Sequence, residues 1–419
     1  MKMQFLAAVA ASLGTLAGAA ALAASPASAA VPVRGTFTPI DPVRLLDTRD
    51  GFGVEGQHAG PLGAGQVTKL HVTGVGGIPA DGVGAVVLNV TATEAPGDGY
   101  ITSYPCGQPR PLASNINVTH GVDVPNQVTV KVGDGGNVCF FASTRVQIVA
   151  DGFGWYADDF AAVPGYRFHE LDPARILDTR DGTGLGSRPI GPMAAGEVLA
   201  LDVDGQGGVP ATGARAITMN VTTANPTTSG YLTVFPCDHP RPNASNVNFD
   251  PANGDVANLV TVKTGDNGQV CFFASQAVDV IADVQGYFMP GPGVDFTAVS
   301  PVRVLDSRDG TGVVGSHPGP LGLGQVLRLH LAGTNGIPAD ARAVLLNVTV
   351  TDATGRGYVS VYPCGKPRPI VSNLNYVRGV DRANLVKVRI GEGGDVCIFT
   401  KLSTQLVADL DGYFTPSAV

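Results

Sequence analysis

The chain is poor in charge, aromatics and sulfur. Of its 419 residues only 15% are charged and 6% aromatic, with one tryptophan and five methionines. So little charge excludes a long disordered polyampholyte, and the lack of Glu, Lys and Leu at heptad spacing excludes a coiled coil. Basic residues are outnumbered 27 to 35, for a net charge of −8. A nucleic-acid groove, which needs surplus Lys and Arg to displace counterions, is therefore not expected. Past the N-terminus no stretch of about 18 apolar residues runs unbroken, so no membrane span is expected either. No segment repeats its apolar residues every 3.6 positions, which leaves no helix for a glycine-rich phosphate loop to precede.

Backbone punctuation is what abounds, with 56 glycines and 31 prolines. That marks turn-rich globular material. Residues 1–29 read as a secretory signal: Lys2 is the positive region, an apolar run extends from Phe5 to about Leu22, and Ala27-Ser28-Ala29 forms a small-residue exit. The mature chain is expected to be exported.

The remainder says nearly the same thing three times. Pro42-Val43-Arg44-Leu45-Leu46-Asp47-Thr48-Arg49-Asp50-Gly51 recurs from Pro173 and again from Pro301, offsets of 131 and 128 residues. Each copy then shows Asn-Val-Thr (Asn89, Asn220, Asn347), Gly-Tyr (Tyr100, Tyr231, Tyr358), Pro-Cys, Arg-Pro, Ser-Asn-x-Asn, a second Cys and a closing Asp-x-x-Gly-Tyr-Phe or its variant. Such a period is too long for a solenoid unit and suits an independently folding domain. The expected modules span 37–158, 167–289 and 296–415, strung as beads on short linkers.

Within a module the period is two. Gln66 to Val72 alternates apolar and polar, and Ala85 to Thr93 starts as a buried run before alternating with threonines. Some eight short strands per module, parted by turns such as Asp134-Gly135-Gly136-Asn137, predict an all-β chain. Its expected form is three tandem antiparallel β-sandwich domains of jelly-roll type, with β-barrel modules as the alternative. Each module holds two cysteines, and a duplicated unit must satisfy its own thiols. Three disulfides inside modules follow: Cys106 with Cys139, Cys237 with Cys271, and Cys364 with Cys397.

A catalytic group used by every module should survive in all three copies. No histidine does: His71 aligns with Asp202 and His330. Nucleophilic triads and metal-histidine sites are accordingly not expected as repeated features. Two polar sets do recur. The first is Asp47, Arg49 and Asp50, with Asp178, Arg180 and Asp181, and Asp306, Arg308 and Asp309. It admits an internal ion pair before an Asp-Gly turn, a Ca²⁺ site, or a patch for sugar hydroxyls. The second is Asn115 and Asn117, Asn246 and Asn248, and Asn373 and Asn375, each pair on one face of a strand. Such amides can read a carbohydrate edge or saturate nearby backbone. The third module alone is basic, twelve residues against nine, and its Arg378, Arg382, Lys387 and Arg389 offer a face to an anionic wall polymer.

With these motifs in view, the modules resemble an actinobacterial family of secreted proteins built from Leu-Asp-Thr-Arg, Ser-Asn-Leu-Asn and Asp-Val-x-Gly-Tyr-Phe repeats. The resemblance covers essentially the whole mature chain and implies accessory or surface domains, with no catalytic residues to carry over. Module one departs from it by closing on Asp151-Gly152-Phe153-Gly154-Trp155-Tyr156. The expected function is a secreted, non-enzymatic array that binds cell-wall glycan or another polysaccharide and needs no cofactor. A glycan hydrolase using a carboxylate pair and a purely structural spacer are the alternatives.

Overall fold

In the computed structural model, residues 33–417 are described except 58, 160, 162–164 and 314–317. The expected signal segment, 1–29, lies outside the described residues. A short leading strand, β1 (Val33–Gly35), precedes three sets of eight. The first repeat comprises β2 (Phe37–Asp47), β3 (Val67–His71), β4 (Val83–Thr93), β5 (Gly99–Pro105), β6 (Ile116–Val118), β7 (Val124–Lys131), β8 (Asn137–Ala142) and β9 (Gln147–Ala157). The second comprises β10 (Arg167–Asp178), β11 (Val198–Asp202), β12 (Ala216–Ala224), β13 (Gly230–Pro236), β14 (Val247–Phe249), β15 (Val256–Lys263), β16 (Gln269–Ala274) and β17 (Asp279–Met289). The third comprises β18 (Val294–Asp306), β19 (Val326–His330), β20 (Ala343–Thr351), β21 (Gly357–Pro363), β22 (Leu374–Tyr376), β23 (Arg382–Arg389), β24 (Asp395–Thr400) and β25 (Gln405–Pro416). No helix among the described residues is long and apolar enough to cross a membrane.

Every repeat is an antiparallel jelly-roll sandwich. In the first, the long strands form a sheet in the order β2-β9-β4-β7 and the short ones a sheet in the order β3-β8-β5-β6. The chain crosses between the sheets at nearly every step, which is the double Greek key of this architecture. The other two repeats reproduce both orders. Alternation supplies each interior: Val86, Leu88 and Val90 of β4 meet Val138, Phe140 and Ala142 of β8. All three disulfides form as expected, each tying the end of a short-sheet strand to its neighbour.

The inner long-sheet strands are buried on both faces; all eleven positions of β4, and all eleven of β9, are buried. Residues pointing away from each sandwich interior, among them Phe37, Ala85, Val87 and Phe153 with Phe168, Leu259, Phe288, Phe296, Leu345 and Phe414, form one core shared by all three repeats. Six rings close a circuit within it. Phe37 meets Phe288 at 4.5 Å, Phe288 meets Phe168 at 5.1 Å, and Phe168 meets Phe414 at 4.8 Å. Phe414 then meets Phe296 at 4.9 Å, Phe296 meets Tyr156 at 4.2 Å, and Tyr156 returns to Phe37 at 5.0 Å. The closing motif explains itself here, since its last aromatic is the ring that enters the shared core. Its glycine is equally constrained, because a Cβ on Gly154, Gly286 or Gly412 would sit 2.3, 2.3 or 2.4 Å from the ring of Phe37, Phe168 or Phe296.

The expectation of self-sufficient beads therefore does not hold: the described chain is one compact unit. Burying the back of each long sheet removes apolar surface from water that separate beads would leave exposed. The leading strand adds a further tie, since β1 pairs with β18 of the third repeat. With the long sheets facing inward, the short sheets lie on the periphery.

Candidate functional site

The asparagine set turns inward. Asn115, Asn246 and Asn373 are at most 2% exposed, and their side-chain oxygens accept from the backbone N–H of Ser103, Val234 and Val361, each at 2.7 Å. A sugar cannot reach them, so the carbohydrate reading fails for these three. Asn117, Asn248 and Asn375 are half-buried, each accepting from the serine of its own motif, and all three line one depression where the repeats converge. A further tripled asparagine locks the ring. Asn126 donates to Asn347, Asn258 to Asn89, and Asn384 to Asn220, at 2.8 to 3.0 Å. Their own oxygens accept from backbone N–H groups of Leu385, Gln127 and Leu259 in the neighbouring repeats.

The Asp-Arg set is likewise spent on architecture. Asp47 receives a two-pronged contact from Arg49 at 2.8 and 2.6 Å and a third bond from Arg44 at 2.8 Å. Asp178 with Arg180 and Arg175, and Asp306 with Arg308 and Arg303, repeat the pattern. Asp50, Asp181 and Asp309 accept from the backbone two residues on, the turn geometry of a short acid before glycine. Arg44 also binds buried Asp151 and donates to the carbonyl of Asn243, while Asn89 donates to that of Ser245. Each repeat thus grips the next one's Ser-Asn loop: Asn220 holds Ser372, and Asn347 with Arg303 holds Ser114 and Leu112.

The charges follow. Burial pushes the Asp47 carboxyl up, but the hydrogen bonds and charge of Arg49 bring it below its usual value. Asp151 and Asp283, more deeply buried, are raised to about 6 despite Arg44 and Arg175. In each repeat one arginine bridges two aspartates: Arg44 joins Asp47 to Asp151, Arg175 joins Asp178 to Asp283, and Arg303 joins Asp306 to Asp409. Among the described residues no group of three or more His, Cys, Asp or Glu is arranged to hold a metal ion.

The basic face of the third module does not form. Lys387 is 3% exposed, pointing into the shared core with its ammonium 4.8 Å from the ring centres of Phe168 and Phe288. Arg382 reaches across to the carbonyl of Asn253, and Arg389 faces Asp172 at 3.5 Å. Only Arg378 of the four is an exposed cation without such a contact.

One tripled constellation does face solvent. On the outer side of each short sheet an arginine sits over a phenylalanine, its guanidinium carbon close to the ring centre: Arg110 on Phe141 at 3.7 Å, Arg241 on Phe273 at 3.8 Å, and Arg368 on Phe399 at 4.0 Å. A tyrosine flanks each ring, Tyr100, Tyr231 and Tyr358, with centroids 5.8 to 6.0 Å away. Arg110 and Arg368 each also donate to that tyrosine's hydroxyl. The arginines are exposed, the rings half-buried, and Tyr231 is 36% exposed. In the first repeat the tray opens into a cleft of about 280 Å³ whose far wall is Arg303, Arg308 and Asp381 of the third. The three phenylalanines escape the sequence reading, although each stands two residues past the second cysteine and so shares its face.

No family model and no curated protein matches the chain. Among solved structures it is similar to the Sulfolobus turreted icosahedral virus (10% identity, 92% of each chain, TM-score 0.18). It is also similar to a structure of the triple jelly roll fold and turret assembly in an archaeal virus (9% identity, 91% of each chain, TM-score 0.16). A third likeness is to the CBM22-1–CBM22-2 tandem domain of Paenibacillus barcinonensis Xyn10C (8% identity, 59% of this chain and 99% of that one, TM-score 0.15).

Proposed function

We propose that this is an exported, non-catalytic protein that binds envelope glycan or another polysaccharide through the three outward trays. One observation carries the reading. Of the polar motifs repeated three times, the Asp-Arg set and the inner asparagines are taken up by ion pairs and hydrogen bonds within and between the repeats, whereas the Tyr-Arg-Phe set is presented to solvent. An aromatic face beside a fixed fork of N–H donors suits a sugar ring, stacking its C–H face and bonding its hydroxyls. Three such sites on one rigid ring add avidity on a repeating polymer. Three disulfides and the signal-like N-terminus support export, as does the resemblance to secreted actinobacterial modules.

Sedimentation with purified peptidoglycan and insoluble glycans tests the proposal. Retention without new reducing ends is expected, and it should fall at least tenfold when Tyr100, Tyr231 and Tyr358 are all replaced by alanine. New reducing ends would establish the hydrolase instead. Absence of both retention and product would leave a spacer.

A further inference from the structure

Resting on that reading, we infer that the polymer is acidic, and that Arg110, Arg241 and Arg368 recognise its carboxylate or phosphate groups. The other two tripled arginines are all neutralised: Arg44, Arg175 and Arg303, and Arg49, Arg180 and Arg308, are each ion-paired to aspartate. The tray arginines form no ion pair among the described residues. Their partners are a ring face and, in two trays, a tyrosine hydroxyl.

A guanidinium seated on a ring face keeps its N–H groups for other partners; the tyrosine hydroxyl takes one in two trays, and the exposed remainder can meet a carboxylate or phosphate with two parallel bonds. Each of these arginines also stands between prolines, as Pro109-Arg110-Pro111, Pro240-Arg241-Pro242 and Pro367-Arg368-Pro369. Proline fixes φ on both sides of the arginine and lowers the entropy lost when the fork is occupied. A side chain held both on a ring and in a stiff segment is arranged before the ligand arrives. A further cation borders the third tray, where Lys401 lies 5.8 Å from the ring centre of Tyr358. With a net charge of −8 the protein as a whole repels polyanions, so acidic binding must come from these local forks.

Two soluble polymers with one backbone separate charge from sugar: hydroxyethyl cellulose and carboxymethyl cellulose, each cast into a native gel through which the full-length mature protein migrates. Retardation by carboxymethyl cellulose should exceed that by hydroxyethyl cellulose at least tenfold and fall steeply between 50 and 500 mM salt. Replacing the three arginines by glutamine should abolish the difference, and Arg→Lys should restore only part of it. Arg110→Gln alone, which leaves two trays intact, gives an intermediate loss and serves if the triple variant does not fold. Equal retardation by both polymers would overturn the acidic assignment and leave glycan binding standing. Preference for the charged polymer that survives the glutamine variants would overturn the role of these arginines. No retardation by either polymer, together with no retention on peptidoglycan, would remove both proposals.

Discussion

Replacing Lys387 by methionine probes the shared core most directly. The lysine is 3% exposed, and its ammonium has a single hydrogen bond, to Thr218 Oγ1 at 3.2 Å. Burial lowers its pKa from 10.5 to about 7. Between those values the unfolded chain holds a proton that the folded chain has released, so stability rises with pH across that window. At about 1.4 kcal/mol per pKa unit, keeping lysine in this place costs roughly 4 kcal/mol at pH 7 and almost nothing near pH 10.5. Methionine, unbranched and of similar length, fills the same space without a charge. The variant should be more stable than wild type by roughly 4 kcal/mol at pH 7, with the gain vanishing as pH approaches 10.5. The other repeats place Thr129 and Thr261 at this register, so the position does not require a cation. Urea denaturation of both proteins at pH 7, 8.5 and 10 measures the effect. A methionine variant less stable at pH 7, or a gain that does not change with pH, would show that the phenylalanine rings hold a charged ammonium comfortably and would refute the reasoning.

Other perturbations test the remaining structure. Asn258→Ala should cost about 3 to 5 kcal/mol in denaturant titration, because it strands the side-chain oxygen of Asn89, the carbonyl of Asn246 and the N–H of Gln127 at once. Asp151 and Asp283, raised from 3.8 to about 6 in the fold, keep their protons longer there than in the unfolded chain. Their contribution is greatest below pH 3.8 and is lost as pH rises to 6, on the order of 3 kcal/mol for each; the wild-type stability curve should flatten over pH 4 to 6 in the double Asp→Asn variant. Asp47, Asp178 and Asp306, lowered by their arginines, act in the opposite sense and only below about pH 4. Replacing Cys106 and Cys139 by alanine opens a loop of 33 residues and should lower stability by roughly 3 to 4 kcal/mol, read by differential scanning calorimetry.

The linear chain is informative about what depends on neighbours within a repeat. Alternation in Gln66 to Val72 and the Asp-Gly turns are local, and pairing two cysteines per repeat follows once the repeat is seen. The all-β jelly-roll sandwich and the three disulfides were legible for that reason. Other residues take their meaning from a partner repeat. Asn89 and Asn258 lie 169 positions apart, and no periodicity along the chain says that one amide donates to the other. The Leu-Asp-Thr-Arg motif admits an ion pair, a Ca²⁺ site or a sugar patch until Asp47 is seen held by both Arg49 and Arg44. A clue was present in Ala85-Val86-Val87-Leu88, a run apolar at consecutive positions and therefore suited to burial on both faces. What lies against the second face was not written in it.

By itself, then, the sequence determined the strand pattern, the threefold repetition and the cystine pairing, because each is set by local alternation or by duplication. Tertiary structure alone decided that the three sandwiches share one core and that their signature motifs face one another. It also decided that Tyr100, Arg110 and Phe141 with their counterparts remain on the outside. Those outcomes depend on how whole sheets pack, and the back of a sheet finds its partner in space, not along the chain.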